Sequence, residues 1–129
     1  MADMFQKYWW ILVIVLFVAF IIGVKYLKTN QPGELDQFAQ CLADKKVTFY
    51  GAFWCPHCQA QKALFGRSAR LLPYQECSTP DSKGQLQICK DKGIQSYPVW
   101  EFEDGSRLDG EQTLQTLADK TGCQLPSAS

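Results

Sequence analysis

Trp9 to Val24 is an unbroken run of sixteen apolar residues, extended by Tyr8 and Tyr26 and bracketed by Lys7 and Lys25. A helix that crosses a bilayer needs about 20 predominantly apolar residues, so the run and its flanks predict a span over residues 8–26. The Trp9-Trp10 pair and Tyr26 suit the interfacial belt of such a span. Beyond it the pattern changes to short mixed segments. Leu35, Phe38, Ala39 and Leu42 recur at helical spacing, and Val47 to Phe53 is β-branched and aromatic enough to be a buried strand. Pro56 suits the first position of a following helix, where its missing N–H costs nothing. A strand candidate at Tyr74 to Cys77 and a polar helical stretch near Gln85 to Lys92 come next. Asp104-Gly105 reads as a hairpin turn between Val99–Glu103 and Ser106–Asp109, and Gly110 precedes a last helix carrying Leu114, Leu117 and Ala118. Helix, strand, helix, strand, helix, strand, strand, helix predicts an α/β domain, a central sheet with helices on both faces.

The expected organisation is a short N-terminal segment (1–7), a membrane anchor (8–26), a linker (27–33), one domain (34–124) and a frayed tail (125–129). A cleaved secretory signal is the competing reading of the apolar run. Its core is usually about 7–15 residues and a small-x-small site should follow, which Val24-Lys25-Tyr26-Leu27-Lys28 does not offer. An uncleaved signal anchor is therefore expected.

Between the first strand and its helix lies Phe53-Trp54-Cys55-Pro56-His57-Cys58. Cys55 falls at a helix N-terminus, where unpaired N–H groups and the helix dipole favour a thiolate, the attacking form of sulfur. Cys58 faces the same side one turn deeper, able to attack a mixed disulfide on Cys55 and close a Cys55-Cys58 bond. Pro56 and His57, the chain's single histidine, sit where they tune the pair; an imidazolium there favours the reduced form and makes the disulfide a stronger oxidant. Half of a zinc site is the alternative, but zinc usually takes a second close pair, and Cys41, Cys77, Cys89 and Cys123 are far apart. Haem attachment would need His where Gln59 stands. A structural bridge between Cys55 and Cys58 would close too short a loop to stabilise much. No metal and no cofactor are expected.

With these residues, the stretch from about 34 to 123 resembles the thioredoxin family, also through Gly93-Ile94-Gln95-Ser96-Tyr97-Pro98-Val99-Trp100-Glu101-Phe102. The resemblance implies a mixed central sheet and a cis Tyr97-Pro98 bond in a loop facing the dithiol, with Trp54, Tyr97 and Pro98 as substrate-binding positions. An ordinary trans proline at a strand edge is the plainer alternative. One departure matters. Reductant thioredoxins carry a buried acid six residues before the first active cysteine, and Phe49 stands there. Cys58 is then expected to be less assisted in its attack, which leans toward an oxidant or isomerase. Lys62 on the dithiol helix could add positive charge to the site, but a solvated lysine is the plainer reading.

Composition and charge set bounds. Residues 29–129 carry 10 basic and 12 acidic side chains, so there is no basic face for nucleic acid. Lys25 and Lys28 weakly favour a cytoplasmic domain, but six cysteines in a domain of this size favour an oxidising compartment, periplasm or an equivalent lumen, and the cysteines outweigh a one-residue charge bias. The four cysteines outside the dithiol admit three pairings, or could remain free thiols. Cys77-Cys89 would close the polar excursion Ser78 to Gly84, and Cys41-Cys123 would tie the first helix of the domain to the end of the last. In the chain-entropy picture these bridges are worth at most about 3 and about 4.5 kcal/mol.

With its extra cysteines, the arrangement is similar to the thioredoxin-like domain that accompanies bacterial homologues of vitamin K epoxide reductase, in a membrane-anchored stand-alone form. The resemblance implies a thiol-disulfide oxidoreductase that oxidises reduced exported proteins and is itself reoxidised by a quinone-reducing membrane protein of the vitamin K epoxide reductase type. A disulfide reductase or isomerase using the same residues, and a non-enzymatic module binding extended peptides at Tyr97-Pro98, are the alternatives.

Overall fold

A computed structural model describes residues 1–29 and 31–127. Asn30, in the expected linker, and Ala128 and Ser129, in the expected tail, lie outside the described residues. The chain falls into two units, residues 1–31 and 32–129.

The first unit is one helix, α1 (Ala2–Thr29). Its Gln6–Thr29 stretch has a mean hydropathy of 2.6 over its most apolar window. At 1.5 Å per residue that stretch is about 36 Å long, sufficient for the hydrocarbon core of a bilayer. The helix runs past residue 26 into the expected linker, and Thr29 Oγ1 turns back to donate to the carbonyls of Lys25 and Tyr26.

In the second unit α2 (Asp36–Asp44), β1 (Thr48–Gly51), α3 (Pro56–Leu64), a 3-10 helix (Gly66–Leu71), β2 (Tyr74–Glu76), α4 (Gln87–Asp91), β3 (Val99–Glu101), β4 (Arg107–Asp109) and α5 (Leu114–Thr121) follow one another. The sheet runs β2-β1-β3-β4, with β1 parallel to β2 and the other pairs antiparallel. This is the mixed sheet of a thioredoxin-like α/β fold, with the expected order of elements. The 3-10 helix is an addition: a six-residue turn carries too little periodicity to be read from its sequence.

Side chains alternate across the sheet. Phe49 and Trp100, register partners, stack at 4.5 Å and build one face with Phe38 and Leu42 of α2, Phe65, and Leu117 of α5. Tyr50 and Val99 point to the other face and meet Ile94 and the Cys77–Cys89 pair. Cys77 is bridged to Cys89 (Cα–Cα 5.6 Å) and Cys41 to Cys123 (5.9 Å). Asp36 receives two hydrogen bonds of 2.7 Å from the Arg70 guanidinium, which fastens the start of α2 to the 3-10 helix. Thr113 caps α5 by accepting from the Thr116 N–H, and Gly122 ends it in the left-handed region (φ 75°).

Candidate functional site: a dithiol under a cis-proline loop

Cys55 is the residue before α3, in extended backbone (φ −76°, ψ 120°), and Pro56 opens the helix, so the turn out of β1 delivers the first sulfur at the helix N-terminus. Its N–H donates to Ala52 O and its carbonyl receives the Gln59 N–H. Tyr97-Pro98 is a cis peptide. Cys55 Sγ lies 3.8 Å from the Tyr97 carbonyl oxygen, within reach of a weak S–H donor. Pro98 is fully buried, and its carbonyl accepts from the Gly110 N–H, tying this loop to the approach to α5.

Cys55 and Cys58 are both unbridged and buried, 5% and 1% exposed. Burial pushes the Cys58 thiol up to about 12; a hydrogen bond with the Ala52 backbone and the Lys62 charge oppose the rise, and Cys55 adds to it. Cys58 rests on β1 so closely that a methyl group on Gly51 would lie 2.9 Å from its Sγ and 2.8 Å from the Tyr74 ring. Gly51 is therefore a requirement of the site.

The other expected site residues surround this pair. Trp54 is half exposed, its Nε1 donates to Ser78 Oγ at 2.8 Å, and its ring meets Tyr97 edge-on at 6.1 Å. The Tyr97 hydroxyl accepts from Gln85 Nε2. Phe53 and Trp54 thus give the dithiol an exposed aromatic rim. His57 points outward to Glu111, Nδ1 to Oε1 2.6 Å, with both side chains largely in solvent.

The partner of Lys62, the Tyr74–Glu76 pair and the role of Gln61 escaped the sequence reading. Lys62 is not simply solvated: its Nζ sits 3.4 Å from the centre of the Tyr74 ring, because the register of β1 with β2 sets that ring beneath α3. The Tyr74 hydroxyl donates to Glu76 Oε2 at 2.8 Å, while Glu76 Oε1 gathers the N–H groups of Phe53, Cys77 and Ser78. Burial, then the Glu76 hydrogen bond, raise the Tyr74 hydroxyl above its ordinary range. Gln61, wholly buried, acts as a short piece of strand: its amide accepts from Gln112 N and donates to Gln112 O. Nothing in a polar helix marks this glutamine as buried, and its partner lies 51 residues away. Among the described residues, no group of three or more His, Cys, Asp or Glu is placed to hold a metal ion.

A thioredoxin-like domain with a CxxC dithiol facing a cis-proline loop is thus the class that fold and site define. The chain is 38% identical over 117 residues to the thiol-disulfide oxidoreductase LTO1 of Arabidopsis thaliana, a match that takes in 84% of this chain and 31% of that protein. The chain therefore spans about a third of the length of this curated relative. No protein-family model matches the chain.

Proposed function

We propose that this chain is a membrane-anchored thiol-disulfide oxidoreductase that oxidises exported proteins. The observation that carries the reading is the pairing of Cys55 at the start of α3, 3.8 Å from the Tyr97 carbonyl, with an unbridged, buried Cys58 three residues on. A substrate thiolate attacks Cys55 Sγ of the oxidised pair, Cys58 leaves, and a mixed disulfide forms; the substrate's second thiolate then displaces Cys55 and carries away the new disulfide. Two electrons and two protons stay on Cys55 and Cys58. An extended substrate lies along Tyr97-Pro98 with Trp54 and Phe53 as the apolar rim, and Pro56 and His57 tune the pair.

The relative's printed name supports the chemistry, and the apolar α1 supports an anchor. In this reading the domain faces an oxidising compartment, where the Cys77-Cys89 and Cys41-Cys123 bridges persist. A quinone-reducing membrane protein of the vitamin K epoxide reductase type reoxidises the dithiol. Redox titration of Cys55-Cys58 against glutathione tests the direction of flow. A potential above about −200 mV supports the oxidant, and one near about −270 mV assigns the chain to reduction. Cys58→Ala is expected to accumulate mixed disulfides through Cys55 in cells; a Cys55 that alkylates as free thiol in that variant overturns the exchange reading.

A further inference from the structure

Whichever way electrons flow, one half of the cycle needs Cys58 as a nucleophile, and its thiol is held protonated by burial. The β1 side chain pointing to this face is Phe49, which is packed between Trp100 and Tyr74 and can take no proton. The neighbouring strand brings polar groups instead. A methyl group on Gly51 would lie 2.9 Å from Cys58 Sγ and 3.3 Å from the Tyr74 oxygen, so sulfur and hydroxyl both pack against the same glycine. Behind that hydroxyl stands the Glu76 carboxylate at 2.8 Å, and above the ring stands the Lys62 ammonium.

Building on the exchange reading, we infer that Tyr74 and Glu76 form the proton outlet of Cys58, with Tyr74 the acceptor and Glu76 the group that positions it and drains it. As the Cys58 side chain moves into hydrogen-bond distance of the Tyr74 oxygen, its thiol passes the proton to that oxygen while Tyr74 passes its own to Glu76 Oε2, so no free phenolate forms. The Cys58 thiolate attacks Cys55 Sγ of a mixed disulfide with a disulfide-bearing protein; the Cys55-Cys58 bond forms, the bond from Cys55 to the partner sulfur breaks, and that sulfur leaves with the electron pair and takes a proton from water. Lys62 stabilises the transient thiolate. The three backbone N–H groups on Oε1 hold the carboxylate with Oε2 free to receive the proton.

The test uses the reduced full-length chain in detergent micelles, mixed with 5,5′-dithiobis(2-nitrobenzoate). The first equivalent of coloured thiol reports attack by Cys55, and the second reports closure by Cys58. Tyr74→Phe keeps the ring beneath Lys62 and against Phe49 and removes only the relay oxygen. It is expected to slow the second phase about a hundredfold near neutral pH, at the modest end of general-base contributions, with the first phase unchanged. The second phase should also rise more steeply with pH than in the unaltered chain, as hydroxide replaces the relay. The titrating and charged groups facing Cys58 are Cys55 and Lys62 from α3 and Tyr74 from β2, with Glu76 behind Tyr74, and the first phase controls for Cys55. Glu76→Gln, which can still accept the backbone N–H groups, should slow the second phase too, and the double variant no further. A second phase at the unaltered rate in Tyr74→Phe, or equal slowing of both phases, overturns the inference. An unaltered chain that releases one equivalent or none overturns the exchange reading itself, and the relay with it.

Discussion

The two faces of the sheet are held by different physics. On the dithiol face, Phe49 and Trp100 stack at 4.5 Å and the aromatic layer continues through Phe65 and Phe38, so apolar volume holds α2, α3 and α5 in place, with the Cys41-Cys123 bridge joining α2 to the end of α5. On the other face, Tyr50, Ile94 and Val99 cover little, α4 is five residues long, and the Cys77-Cys89 bridge supplies what packing does not. A reactive pair needs a rigid support, and the aromatic layer gives it that; the other face relies on a cystine that is fully buried.

Four measurements break or sharpen this contrast. Trp100→Ala removes the centre of the aromatic layer and should cost about 3–5 kcal/mol in chemical unfolding, with protection from hydrogen exchange lost throughout the domain. Replacing both Cys77 and Cys89 by Ala should cost up to about 3 kcal/mol, with exchange accelerating over residues 78–93 and the dithiol face retaining its protection. Equal loss on both faces would erase the distinction. Gly51→Ala forces a methyl group against the Cys58 sulfur and the Tyr74 ring and should cost about 1–3 kcal/mol by thermal unfolding, with slower alkylation of Cys58.

The smallest effect concerns acid. The Arg70 guanidinium holds the Asp36 carboxyl well below the usual carboxylate range, with hydrogen bonds from Ser68 and Gly33 assisting. A depressed folded-state value means the stabilisation is whole above the unfolded carboxylate range, near about 3.9, and drains away as pH falls below it. Arg70→Met should therefore lower the melting temperature at neutral pH, and the two curves should converge in strong acid.

Local signals carried far in the sequence. The order of elements was legible because each rests on a contiguous pattern, such as Leu114, Leu117 and Ala118 for α5 or Pro56 after a β-branched run for α3. The arrangement of Cys55 and Cys58 around a helix start could be read from six consecutive residues. What stayed hidden depends on register. That Tyr74 stands opposite Phe49, and Glu76 opposite Gly51, is a property of the parallel β1–β2 pairing, and nothing within either strand announces it. The same holds for Lys62, whose partner is chosen by how α3 lies over β2, and for Glu111, which meets His57 from the loop before α5.

The Gln61 amide clasps Gln112, Gly110 grips the Pro98 carbonyl, and the two links share one short loop. The helix carrying the sulfurs and the loop opposite them are consequently geared together like jaws with a fixed gape. In the exchange reading proposed above, a client polypeptide does the bending, so extended segments suit this mouth better than finished globules.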